Sequence, residues 1–183
     1  IRYVGSGAMG LVYKAIDEDF KEPVAIKTLA RMEPRRLFSL KHEFRALAGV
    51  RHPNLVRHDE LAKEGDDWYF AMEYVDGEDI MQVLQRNPEW LSNVMGQLIG
   101  GLAHLHDSGV LHLDLKPSNI LVTASRRVGI LDFGLAQTWK LPLESRSTGS
   151  PGTPGFIAPE RRRGEVPSPA SDWFAVGVIL FKT

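Results

Sequence analysis

Residues 112–134 read HLDLKPSNILVTASRRVGILDFG, and four polar side chains in this stretch decide how the whole chain is read. Two short apolar runs, 120–122 and 128–131, flank a polar turn, which predicts a pair of strands. Asp114 precedes the first run, where a carboxylate can accept or orient the proton of an attacking hydroxyl. Lys116 can offset negative charge on a group in transfer, and Asn119 can ligate a divalent cation through its amide oxygen. Asp132 ends the second run, a natural place for a metal-binding carboxylate, with Gly134 letting the chain turn away. Asp132-Phe133-Gly134 alone is a match that chance supplies often, so its weight comes from its surroundings.

Upstream, Gly5-Ser6-Gly7-Ala8-Met9-Gly10-Leu11-Val12 lies between apolar runs at 2–4 and 11–16. Glycines let a backbone approach phosphate oxygens closely, with amides facing the charge. The rival readings are a flexible hairpin or a dinucleotide fingerprint, and the latter should open a helix. A second strand is expected here instead, which favours a hairpin laid over phosphate. A third strand is expected over 23–28, where Ala25 and Lys27 share one face because strand side chains alternate. Leu37, Leu40, Phe44 and Leu47 recur at helical spacing, and His52-Pro53-Asn54 is expected to end that helix. Glu43 lies beside the apolar stripe; by itself a solvated helix glutamate is the simpler reading, and an ion pair with Lys27 the sharper one. Residues 55–61 and 68–72 flank a turn at 64–67. Leu91, Met95, Leu98, Leu102 and Leu105 form a long helical stripe that Gly109 is placed to cap. From 138 to 154 the chain is rich in Ser, Thr, Gly and Pro and reads as a long loop, and a last apolar helix begins near Asp172.

A chain of 183 residues can bury a core, as one domain or two small lobes. Its hydrophobic content of 43% and net charge of −1 are those of an ordinary globular protein and give no reason to expect a nucleic-acid partner. No apolar run reaches the length of a membrane span. The absence of cysteine rules out disulfides and thiolate chemistry, and fits a reducing cytoplasm.

Glycine loop, strand lysine, helix glutamate, Asp114-Leu115-Lys116-Pro117-Ser118-Asn119, Asp132-Phe133-Gly134, Ala158-Pro159-Glu160 and Asp172 follow one another in a single order. That succession resembles the protein kinase family along the entire chain. The resemblance implies an α+β, bilobal fold: a small antiparallel-sheet lobe with one main helix over 1–75, and a mainly helical, incomplete large lobe over 76–183. It implies ATP and Mg²⁺ as cofactors, bound in the cleft between lobes. Gly5, Gly7 and Gly10 would cover the phosphates, and Lys27 would hold them with Glu43 as partner. Val12, Ala25 and Leu121 would sandwich the purine, with Met72 as gatekeeper and Glu73-Tyr74-Val75 as hinge. Asp114 would be the catalytic base, with Asn119 and Asp132 as metal ligands. Lys116, Leu135 and Thr153 of Gly152-Thr153-Pro154 resemble the serine/threonine kinases, so transfer to hydroxyls of a protein substrate is expected.

Three departures from the pattern and one run of charge stand out. Leu113 replaces the arginine usual beside the catalytic aspartate, so activity is expected not to depend on a loop phosphate held by that contact. Changing Ser145, Ser147, Thr148 and Ser150 together to alanine should therefore leave the transfer rate near that of wild type, and a collapse without unfolding would refute it. His58 takes the place of an aliphatic member of the stack completed by Leu47, His112 and Phe133; a tolerated half-buried ring is the simple reading and a pH-sensitive stack the sharper one. Arg161-Arg162-Arg163 reads as a solvated face rather than a docking patch for acidic substrates. The chain begins inside its first strand and ends inside its last helix, so further domains, exposed apolar surface on that helix and marginal stability of the fragment alone are expected. The runner-up function is a pseudokinase acting as a nucleotide-binding regulatory module; a kinase-like enzyme acting on a small molecule is weaker still.

Overall fold

The computed structural model describes residues 1–7, 10–29, 33–138 and 152–183. The chain divides into two compact units, residues 1–51 with 56–75 and residues 52–55 with 76–183.

The first unit is a five-stranded antiparallel sheet with one helix. Strands β1 (Arg2–Gly7), β2 (Gly10–Ile16), β3 (Pro23–Thr28), β4 (His58–Glu64) and β5 (Asp67–Glu73) lie in the order β1-β2-β3-β5-β4. Asp17 begins the β2–β3 turn, its Oδ1 accepting the amides of Asp19 and Phe20, the local bonding that makes aspartate a turn residue. Register pairs Val12 with Lys27, and Ala25 with both Lys14 and Met72. Alternation then places Ala25 and Lys27 on the buried face of β3. Helix α1 (Pro34–Ala46) turns Leu37, Leu40 and Phe44 toward a core made with Leu29 and Phe70. Full burial of side chains such as Leu40 and Phe70 contributes about 1.5–3 kcal/mol each. The helix stops short of the expected His52-Pro53-Asn54 boundary. Leu47 and Val50 continue the apolar pattern as buried residues, but they belong to a turn rather than to further helix.

In the second unit, α3 (Leu91–Asp107) buries Val94, Met95, Leu98, Leu102 and Leu105, following the stripe read from the sequence. Gly109 follows its C-terminus at φ +85°, its amide donating to the His106 carbonyl, a conformation in which a Cβ would be strained. Short strands follow: β7 (Val110–Leu111), β8 (Ile120–Thr123), β9 (Val128–Ile130) and β10 (Gln137–Thr138). Strand β8 lies between β9 and β6 (Gly77–Asp79), and β10 pairs with β7. Helix α2 (Ile80–Arg86) starts where Asp79 accepts the Met81 amide; this short element and β6 carry too little periodicity to be foreseen. Asn54 ties residues 52–55 into this unit, its Nδ2 donating to the Val128 carbonyl and to Gln97 Oε1. Helices α4 (Pro159–Arg162) and α5 (Pro169–Lys182) close the described chain, with Leu180 and Phe181 exposed on α5. Among the described residues no helix is long and apolar enough to cross a membrane.

Candidate active site

The stretch 112–119 is held by Asp172, a buried residue in the first turn of α5. Its Oδ2 accepts the His112 amide at 2.8 Å and stands 2.9 Å from His106 Nε2, while Oδ1 accepts the Leu113 amide at 2.8 Å. The His112 ring, fully buried, bonds the Leu131 carbonyl through Nε2 and faces the Asp114 amide through Nδ1. A carbonyl only accepts, so the ring hydrogen belongs on Nε2 and the lone pair on Nδ1. His112 also packs against the buried Phe133 ring, centroid to centroid 4.9 Å. Leu113, the residue between His112 and Asp114, adopts φ +66°, a conformation that strains a residue with a Cβ by about 1–2 kcal/mol.

That backbone presents the Asp114 carboxylate to four donors, the most distant being Asn119 Nδ2 at 3.5 Å from Oδ2. Oδ1 accepts both the amide and the hydroxyl of Thr153 at 2.9 Å, and Oδ2 accepts Lys116 Nζ at 2.9 Å. Asn119, buried beside it, donates its Nδ2 to the Asp114 carbonyl at 3.0 Å, which orients the amide of this expected metal ligand. The β8–β9 hairpin pairs Ile120 with Ile130, and the Leu131 amide donates to the Asn119 carbonyl. Asp132, the second expected metal ligand, is therefore the next residue after a position hydrogen-bonded to Asn119. Asp114, Lys116, Asn119 and Thr153 thus come together in one unit, and Leu121 lies half-buried on β8.

In the first unit Lys27 Nζ donates to both carboxylate oxygens of Glu43, at 2.5 and 2.7 Å. Side-chain exposures of 7% and 1% make this a buried pair, so the solvated-glutamate reading of Glu43 is overturned. Its cause is the helix phase: Glu43 lies one residue from Phe44 and three from Leu40, on the face pressed to the sheet. Met72 faces Ala25 across the sheet, Val75 is buried at its end, and the Glu73 amide donates to the Arg57 carbonyl. Gly10 has a packing reason to be glycine, because a Cβ there would stand 2.2 Å from the Thr28 carbonyl oxygen. Gly5 has no such reason, since a Cβ would meet nothing within 4 Å. Ala8 and Met9 lie outside the described residues, as do Ser145, Ser147, Thr148 and Ser150.

Two readings of single residues are corrected. His58 is buried rather than half-buried, stacked between the Phe44 ring at 6.1 Å and the Phe70 ring at 4.8 Å. Burial, above all, lowers its pKa to about 4, with the charges of Lys27 and Arg51 acting the same way and Asp59 and a Phe44 backbone bond opposing. The ring is therefore neutral near pH 7, which removes the idea of a stack that titrates there. An unfolded histidine binds its proton near pH 6.5 and the folded one only near 4, so stability is lost as pH falls through that window. Urea unfolding should lose about 2 kcal/mol between pH 7 and pH 5 through this group, and His58→Leu should flatten the slope by that amount. An unchanged slope in the variant would show that His58 is not the source. The second correction concerns Arg161, which is 3% exposed and donates to the Leu113 carbonyl; only its neighbours Arg162 and Arg163 are solvated. Three consecutive arginines look alike in sequence, and only the turn of α4 sends one of them inward.

A family model described as the protein kinase domain matches residues 1–183. The chain belongs to the protein kinase domain family. It is 30% identical over 189 residues to the serine/threonine-protein kinase PrkC of Bacillus subtilis (strain 168), covering 100% of this chain and 29% of that protein. It is 34% identical over 197 residues to a serine/threonine-protein kinase of Myxococcus xanthus, covering 98% of this chain and 36% of the relative. With the serine/threonine-protein kinase PknA of Mycobacterium tuberculosis (strain ATCC 25618 / H37Rv) it shares 34% identity over 194 residues, 99% of this chain and 45% of that one. The chain thus spans less than half the length of the relatives it matches.

Proposed function

We propose that this chain transfers the γ-phosphate of ATP to serine and threonine hydroxyls of a protein substrate, as a transferase of cytoplasmic signalling. The observation that carries the proposal is the setting of Asp114. Its Oδ1 bonds Thr153 and its Oδ2 bonds Lys116, within a loop whose amides are fixed by Asp172. A carboxylate so oriented can accept a hydrogen bond from an incoming hydroxyl and line its oxygen up for attack, the positioning on which this chemistry depends. Lys116 brings positive charge to the same place.

Asn119 and Asp132 fit Mg²⁺, because an amide oxygen and a carboxylate are the hard donors that ion takes, in small number, with phosphate and water filling the rest. Bound ATP would supply the phosphoryl group, and the metal the charge that steadies it in transfer. Lys27 would hold phosphate oxygens with its ammonium braced by Glu43, and the open space at Gly5 suits close approach of a ligand to the backbone, with Gly7 and Gly10 alongside. Val12, Ala25 and Met72 would line the adenine side in the first unit, with Glu73 and Val75 offering backbone bonds.

The full-length protein, supplied with labelled ATP and a generic basic protein, should incorporate label only when Mg²⁺ is present. Hydrolysis of the product should yield phosphoserine and phosphothreonine. If no label moves but ATP still raises the melting temperature, the chain is a nucleotide-binding regulatory module instead. Label appearing only in a small-molecule pool would replace the protein substrate.

A further inference from the structure

The catalytic loop is gripped from two sides, and the second grip comes from a residue with no role in the reading above. Asp172 takes the amides of His112 and Leu113. On the other side of the same peptide segment, Arg161 donates from a terminal guanidinium nitrogen to the Leu113 carbonyl at 2.6 Å. Both residues are buried, at 1% and 3% exposure. Leu113 brings no charge of its own, and its φ of +66° is the strained conformation that aims this carbonyl and sets the next residue, Asp114. Strain of that size persists only where surrounding bonds over-determine it. We propose that Arg161 is a positioning residue for Asp114: by clamping the Leu113 carbonyl it holds the left-handed turn from which the carboxylate meets Thr153 and Lys116.

Charge fits this role. Burial lowers the pKa of the guanidinium, and the negative charges of Asp172, Asp114 and Glu160 only partly oppose it. A buried cation bonded to a carbonyl and surrounded by these acids is expensive to place unless its position is used, and a charge-assisted bond is roughly twice as strong as a neutral one. Glu160 is itself held by the Ser171 hydroxyl at 2.6 Å, and Ser171 precedes Asp172 in the same helical turn. The two grips therefore converge from α4 and α5 on one residue, Leu113, at its amide and at its carbonyl.

This role rests on the transfer reading, and the test keeps the two apart. In the full-length protein, Arg161→Met and Arg161→Lys are compared with wild type in kcat, in KM for ATP, and in hydrogen exchange of the amides of 112–119. Arg161→Met should lower kcat by about 10²-fold, the scale of a misplaced catalytic group, while KM for ATP stays within about twofold. Exchange of the His112 and Leu113 amides should quicken, and Arg161→Lys, which keeps a charged donor, should recover most of the rate. An Arg161→Met enzyme with unchanged kcat overturns the proposal. So does a fall in kcat matched by lost ATP binding and a lower melting temperature, or a lysine variant no better than methionine. If wild type transfers nothing, the transfer reading fails by itself, and exchange alone decides the positioning: unaltered amides in Arg161→Met would then sink it.

Discussion

Asp114→Asn should lower kcat by about 10²–10⁴-fold, the range contributed by a positioned acid–base group, with KM for ATP little changed. The variant is nearly isosteric, so its effect isolates charge and hydrogen-bond polarity. Every protein group facing the two carboxylate oxygens is a donor: the Thr153 amide and hydroxyl on Oδ1, the Lys116 ammonium and, more distantly, Asn119 Nδ2 on Oδ2. An asparagine amide must place its own NH₂ against one of these sets. Turned toward Thr153, it opposes a backbone N–H that has no freedom to rotate away. Turned toward Lys116, it faces an ammonium and gives up an ion pair. Either orientation loses a bond and tilts the side chain, at about 1–3 kcal/mol for the donor left unmade. Thr153→Ala, which removes one hydroxyl donor and keeps the amide, should cost far less. Equal losses in the two variants would mean that the Thr153–Asp114 pairing, not the charge of Asp114, carries the rate.

The sequence announced these residues by order and could not announce their surroundings. Alternation in β3 already paired Ala25 with Lys27 on one face, and the register of the sheet agrees. The stripe in α3 and the glycine after it were legible because a 17-residue helix repeats its signal several times. Short elements repeat nothing, so β6, α2 and α4 carry no legible signal, and the apolar spacing that runs on to Leu47 extends past the end of α1 at Ala46. Burial of polar groups was the harder quantity. Glu43, His58 and Arg161 all read most simply as wholly or partly solvated, and all three are buried. Each owes its burial to partners far along the chain: Lys27 for Glu43, Phe70 for His58, Leu113 for Arg161. Local pattern carries no information about such contacts. Asp172 was visible as a member of the ordered motif set, yet its work as acceptor for two loop amides follows only from the return of α5 to residues 112–113.

Glu43→Leu should destabilise the protein by about 3–5 kcal/mol, the scale measured when one partner of a buried ion pair is removed. The Lys27–Glu43 pair is bonded through both oxygens and excluded from water, so each charge depends on the other for what it lost on burial. Without the carboxylate, the Lys27 ammonium must either lose its proton or draw water into the face of the sheet that Ala25 and Leu40 keep dry. Lys27→Met alone strands the carboxylate in the same way and should cost a similar amount. The double variant Lys27→Met/Glu43→Leu removes both charges and leaves apolar side chains of similar volume, so most of the stability should return. Activity should not return with it, because the charge proposed to hold phosphate is gone. Urea unfolding of the three variants and wild type, run beside transfer rates, separates the two roles. Single variants costing under about 1 kcal/mol would place the pair in water. Recovery of stability together with activity in the double variant would remove Lys27 from the chemistry and leave it a purely structural ion.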